Sequence, residues 1–439
     1  MAISPKRREE ILSALRMGTV PQEGLDLLAV GLSRFEQTVD DELRRVQEGG
    51  SAFKAIRGDY GCGKTFFSRW LQQRARKLQL ATTEVQISET ETPLHRLETV
   101  YRRMLERLAT PSVRQGAFRS VMDAWFFALE EDVLSAGMVQ QNDPASLLDA
   151  TNRLMEKRLE GITRTAPAFS AALRGYRTAM AAGDNVTADG LLAWLAGQPT
   201  VSANIKRAAN IKGDVDHFAA LSFLQALLVV LRDSGHPGLV LVLDEVETLQ
   251  RVRADARDKA LNALRQLIDE LDAGRFPGLY LVVTGTPSFF DGPQGVQKLA
   301  PLAQRLQTDF ATEAKFDNPR APQIRLKSFG QAEMLEVGRK VRDLFAEGCK
   351  APERLREKAD DDLLQRLADG VSGRLGGRTG VAPRLYLKKL VADVLDRIEL
   401  HPEFDPRKDY QLTIREDEMT DEERNLAPAA SVDAIRLNL

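Results

Sequence analysis

Two stretches of this chain carry residue types and spacings suited to phosphate chemistry. Gly58-Asp59-Tyr60-Gly61-Cys62-Gly63-Lys64-Thr65 fits the pattern G-x-x-x-x-G-K-[ST] in full. Glycines there remove the Cβ atoms that would stop backbone N–H groups from curling around a β-phosphate. A helix opening at Lys64 would add free N–H donors and the positive end of its dipole. Lys64 would reach the β- and γ-phosphates, and Thr65 would offer its hydroxyl to Mg²⁺. The nucleotide contacts expected are Gly58, Asp59, Tyr60, Gly61, Cys62, Gly63, Lys64, Thr65 and Phe66, and the cofactors are ATP and Mg²⁺. Cys62 reads as a small residue fitting a tight turn; a redox role would lack a resolving thiol.

The second stretch is Leu239-Val240-Leu241-Val242-Leu243-Asp244-Glu245. An apolar strand would deliver Asp244 to its C-terminal end, where it can hold Mg²⁺ together with Thr65. Glu245 would then polarise the attacking water as a general base. Glu247, close by, is expected at the surface or against a partner. Three further residues fit the plan of an AAA+-like ATPase. Thr284, in Thr284-Gly285-Thr286-Pro287, could orient that water, or simply end a strand in a turn. Arg305 stands where a subunit would offer an arginine finger to its neighbour, with an ordinary surface arginine as the alternative. Arg384 opens the last long helix behind Pro383, itself ordinary capping chemistry, and would point from a lid toward the γ-phosphate.

These residues need a scaffold. Residues 52–57 read as a strand, 64–80 as a helix and 82–88 as a second strand, a βαβ unit that implies a parallel sheet. Strands return at 238–244 and 278–284, and an edge strand is expected at 322–327. Helical spacing marks 5–17, a second amphipathic stretch at 23–48, and 255–273. The fold class expected is α/β: a P-loop, AAA+-like parallel sheet flanked by helices, with a helical insertion and a C-terminal helical lid. The parts divide at 1–50 (N-terminal helices), 51–111 (first part of the core), 112–212 (insertion), 213–329 (second part of the core), 330–400 (lid, helices 331–347, 360–370 and 381–398) and 401–439 (tail). The polar tail, with Pro402, Pro406 and Pro428, is expected to be loosely ordered or an interaction arm. The insertion is expected to decorate the core, so that removing it spares ATP binding.

Composition sets outer bounds. The 439 residues are 43% hydrophobic and 28% charged, with a net charge of −2, so only a local patch could meet nucleic acid. The clusters Arg102/Arg103/Arg107 and Lys388/Lys389 are candidate patches, each otherwise a solvated helix face. No apolar run is long enough to cross a membrane. The start lacks a signal-peptide core, and two cysteines fit a reducing cytoplasm.

With these pieces in order the chain resembles the AAA+/origin-recognition-like ATPases, and more narrowly the BREX phage-defence ATP-binding proteins, the BrxC/BrxD family, nearer the BrxD kind. The stretches REEILSALRMGTVPQEGLDLLAVGLSRF (8–35), GDYGCGKTFF (58–67), ETPLHRLETVYRRM (91–104), LVLDEVETLQR (241–251), VTGTPSFF (283–290) and GVAPRLYLKKLV (380–391) carry it. The resemblance implies ATP hydrolysis, association with DNA, a homo-oligomer and a helicase or other defence-system partner. The tail is too short for the winged-helix domain that follows the lid in origin-recognition relatives. Two readings stay open: an ATP-hydrolysing remodeller or loader on DNA, and a nucleotide-dependent regulatory scaffold with slow turnover and no DNA contact.

Overall fold

The computed structural model describes residues 3–137, 139, 143–163, 166–374, 383–415 and 418–419. At its centre lie strands β1 (Ala52–Arg57), β2 (Ala81–Gln86), β3 (Leu239–Asp244), β4 (Leu279–Gly285) and β5 (Gln323–Arg325), ordered β2-β3-β4-β1-β5. Every neighbouring pair runs parallel. β3 and β4 are buried on both faces, which is why their sequences are unbroken apolar runs rather than alternating ones. β5 is the edge strand the sequence predicts.

Alternate residues of the strands face two separate apolar layers. Ile56, Val240, Val242 and Val282 meet α2 (Ser33–Gln47) and α3 (Lys64–Lys77). Helix α1 (Pro5–Arg16) precedes these two. Phe35, Val39, Leu43 and Val46 recur along one face of α2, and Phe35 meets Phe67 of α3 edge-on at 5.4 Å. Leu241, Leu243, Leu281 and Val283 face the opposite layer.

The insertion belongs to that opposite layer. Its helices α5 (Phe118–Ser135), α6 (Pro144–Arg158), α7 (Pro167–Ala181) and α8 (Asn185–Leu195) share one continuous core with α4 (Leu97–Glu106), α9 (His217–Asp233) and the sheet. Phe223 of α9 packs against Tyr101, Phe169 and Trp194, with ring centroids 5.0–6.0 Å apart. Fully buried Trp125 donates its indole N–H to Asp233 at the end of α9. The expected decoration is therefore structural: excising 112–212 would strip the apolar cover from α4 and α9. Even Trp125→Ala is expected to cost about 3–5 kcal/mol, measured as a lowered midpoint in a urea melt.

A second core builds the lid. It gathers α11 (Gln331–Ala346), α12 (Pro352–Lys358), α13 (Asp361–Arg374) and the run α14 (Pro383–Lys388), π-helical Lys389–Leu395 and Asp396–Leu400, whereas the long α10 (Ala254–Asp272) before them belongs to the sheet's core. Ile11, Leu12 and Leu15 of α1 pack into this lid rather than onto the sheet, and Arg16 holds Asp396 through two bonds of 2.7 and 3.0 Å.

Two expectations need correction. The stretch 23–48 is broken: Leu25–Leu28 is a short turn of helix, and α2 starts only at Ser33. Gly24 and Gly31 adopt φ of 78° and 70°, a left-handed backbone that ends regular helix. The tail is not loose where it is described: Phe404, Tyr410, Leu412, Ile414 and Met419 pack on the lid core. The start expected for the last lid helix at 381–382, and the tail after Met419, lie outside the described residues.

Candidate nucleotide site

β1 ends at Arg57 and turns into the glycine loop. Gly61 and Gly63 hold φ of 76° and 92°, conformations that cost other residues about 1–2 kcal/mol. A Cβ on Gly58 would stand 2.4 Å from the Cys62 sulfur and 3.3 Å from the Leu326 carbonyl. These glycines are thus required by the loop's own shape. Gly63 precedes the first turn of α3, so its unpaired N–H groups open into the loop.

Lys64 is buried, and its ammonium donates to the carbonyls of Gly58 at 2.9 Å and Asp59 at 3.1 Å, beside the Tyr60 ring. This arches the loop back over its own helix. Phe66 packs against both the sheet core and the lid core, so the loop helix and the lid meet at this ring. Cys62 is buried, and burial pushes its thiol up to about 11, with Lys64 opposing. That is the small, inert residue of the sequence reading and no low-pKa thiolate. Iodoacetamide at pH 8 is expected to label the half-buried Cys349 well before Cys62, read by peptide mass spectrometry.

β4 stands between β1 and β3, and it contributes the piece that joins their ends. Thr65 donates to one carboxylate oxygen of Asp244 at 3.3 Å. The fully buried Thr284 hydroxyl donates to the other, and Thr284 also accepts the Glu245 backbone N–H at 3.1 Å. A hydroxyl and a carboxylate are hard oxygen ligands, and Mg²⁺ typically takes one or two protein oxygens of this kind plus phosphates and water. The set fits that ion.

Glu245 follows with φ 59° and ψ 43°. A non-glycine residue in the left-handed region costs about 1–2 kcal/mol; here two N–H bonds, to Asp244 and Thr284, hold it. The turn carries the Glu245 side chain out of line with β3, where Oε2 accepts from Gln86 Nε2 at 2.8 Å. Gln86 ends β2 directly beside Asp244 in register. Sequence reasoning missed it, because one glutamine at a strand end belongs to no motif; only the strand order makes it a neighbour.

Glu247 is a correction. It is buried, not a surface residue, and neither carboxylate oxygen has a protein partner. Burial pushes its carboxyl up, with Lys64 opposing.

Two predicted residues stand outside this junction. Arg305 donates to Asp269 and to the Pro301 carbonyl. It lines a cavity of about 620 Å³ beside Ser51 and Ala52, where β1 begins, the far end of that strand from the phosphate loop. Arg384 donates to the Glu418 carbonyl at 2.5 Å and borders Gly18. The basic clusters are engaged within the chain: Arg102 and Arg103 pair with Glu106, Arg103 also with Glu91, and Arg107 donates to the Glu84 carbonyl. Lys388 and Lys389 pair with Glu418.

A parallel α/β sheet with a phosphate loop after its first strand, and an acid-tipped strand two places along the sheet, defines a P-loop type of nucleotide-binding fold. Over residues 3–414 the chain matches the family described as BREX system ATP-binding protein BrxC/D, and it belongs to that family. It is an ATP-binding protein of the BREX phage-defence system. No curated protein and no solved structure matches it. Among the described residues, no helix is long and apolar enough to cross a membrane.

Proposed function

We propose that this protein binds ATP·Mg²⁺ at Gly58–Phe66 and hydrolyses it, with Glu245 as the general base and Thr65 and Asp244 as the metal ligands. One observation carries this reading: Thr65, Asp244, Thr284 and the Glu245 N–H form a continuous hydrogen-bonded chain from the phosphate loop to the base. In such a chain Thr284 ties the metal ligand to the base, so both respond to the same γ-phosphate. The activity is that of an AAA+-like remodeller or loader, working in the cytoplasm as a homo-oligomer on DNA with a helicase partner. ATP turnover with and without double-stranded DNA tests it. DNA-stimulated turnover supports the reading; tight ATP binding with negligible turnover and no DNA response removes it.

A second reading, a slowly turning regulatory scaffold, has its own support. The Gln86 bond holds the Glu245 side chain, and four of the five cluster cations, Arg102, Arg103, Lys388 and Lys389, pair with acids of the same chain. The two readings part at Gln86→Leu. If Gln86 restrains the base, freeing it is expected to raise basal turnover about three- to tenfold, the net worth of one ordinary solvent-exposed hydrogen bond. A single-turnover assay reads this; an unchanged rate leaves Gln86 as a strand-end contact.

Arg305 as a finger requires its bond to Asp269 to open in an oligomer. Arg305→Ala is then expected to lower turnover by about 10³-fold or more while leaving nucleotide affinity near wild type. An unchanged rate, or an active monomer on a sizing column, removes the assignment.

A further inference from the structure

The lid carries a cationic face, and the chain itself supplies the occupant. Arg384 and Lys388 lie one helical turn apart, and a Cβ on Gly18 would stand 3.1 Å from Arg384 and 3.4 Å from Lys388. Lys389, buried, begins the π-helical stretch, a local winding often associated with functional sites. Glu418 meets all three. Both its carboxylate oxygens accept from Lys389 at 2.9 Å, and one lies 3.2 Å from Lys388. Its backbone carbonyl accepts from Arg384 at 2.5 Å. Burial acts to push the Glu418 carboxyl up, but the bonds from Lys389, the Arg415 N–H and Lys388 outweigh it and bring it to about 2.

Residues 402–415, which lead toward Glu418, are seated at several points. Lys358 holds the carbonyls of Pro402 and Phe404 at 2.7 Å. The Tyr410 hydroxyl reaches Asp393 at 3.4 Å. Leu412 lies so close to α13 that a Cβ on Gly370 would come within 2.9 Å of it, and Ile414 and Met419 add apolar contact with the lid core. Apolar anchors therefore flank Glu418, which is set against three cations, with Asp393 also 3.3 Å from Lys389.

We propose that this face of the lid is a docking site for the chain's own residues 402–415 and 418–419, and that Glu418 straps Arg384, so that nucleotide engages this arginine only by displacing the strap. The inference rests on the reading that Arg384 serves the γ-phosphate. A guanidinium donor engaged with a carbonyl must give up that bond before it can serve a phosphate oxygen, which lowers apparent affinity by the fraction of chains already released.

The test is titration of a fluorescent N-methylanthraniloyl ATP, with Mg²⁺, into the full-length protein and into Glu418→Ala, Arg384→Ala and the double variant. Glu418→Ala is expected to tighten binding about three- to tenfold, a typical coupling between linked sites. Arg384→Ala is expected to weaken it, and the double variant to match Arg384→Ala alone. Binding by Glu418→Ala that is unchanged or weaker, or a tightening that survives in the double variant, overturns the strap. If Glu418→Ala melts below the assay temperature, Glu418→Gln, which keeps the side chain's volume without its charge, is held to the same ranking. Wild-type protein that binds no nucleotide overturns the nucleotide reading itself, and the strap with it; normal wild-type binding with a failed ranking overturns the strap alone.

Discussion

Lys64→Ala is expected to abolish measurable ATP binding, a loss of more than about a hundredfold in affinity. Lys64 is buried at the mouth of its helix with its ammonium on the Gly58 and Asp59 carbonyls. Two effects therefore add. The γ- and β-phosphates lose a charge-assisted bond in a low-dielectric cleft, and removing one partner of a buried charged pair typically costs about 2–5 kcal/mol. The loop also loses the tie that arches it. Alanine cannot replace either, whereas Lys64→Arg keeps the charge in a fork too broad for the same carbonyls. Isothermal titration with ATP·Mg²⁺ reads the loss directly, and a melt checks that the fold stands. Affinity within a few-fold of wild type would move the phosphate site elsewhere.

What the sequence discloses here follows from how local each constraint is. The phosphate loop was legible because its glycines answer to backbone geometry: Gly58 has Cys62 and Leu326 against it, and Gly61 and Gly63 have left-handed φ. β3 and β4 were legible because a central parallel strand is buried on both faces and must be apolar throughout. Thr284 was legible as a hydroxyl near the end of β4, but its bond to Asp244 was not, because it depends on β4 lying beside β3. The remaining features depend on distant chain. Nothing in the string places α1 in the lid, because its Ile11–Leu12–Leu15 stripe fits any apolar surface of helical spacing. Glu247 looked exposed because charge usually is; its burial follows from the left-handed turn at Glu245, which redirects the chain. The segment 402–415 looked loose because prolines and charges conceal the spaced Tyr410, Leu412 and Ile414. Gln86 gained meaning only when strand order set it beside Glu245.

The proposed general base, Glu245, gives the sharpest test. Glu245→Gln is expected to leave ATP affinity within about threefold of wild type and to lower turnover by about 10²–10⁴-fold, the usual worth of a positioned general base. The separation follows from geometry. The Glu245 backbone N–H, not its carboxylate, bonds Asp244 and Thr284, so these two residues keep their places when the side chain becomes an amide. The amide also still offers an oxygen to Gln86, so the left-handed turn has no new reason to relax. Only the capacity to take a proton is lost. Glu245→Ala should match Glu245→Gln in turnover, while Thr284→Val should lower turnover less and weaken nucleotide binding as well, since Thr284 acts on Asp244 and Glu245 together. Rapid-quench single-turnover measurements at saturating ATP·Mg²⁺ separate chemistry from binding and release. Turnover that survives in Glu245→Gln at more than about a tenth of wild type would transfer the base to another residue, and buried, unpaired Glu247 would be the first to exchange for glutamine.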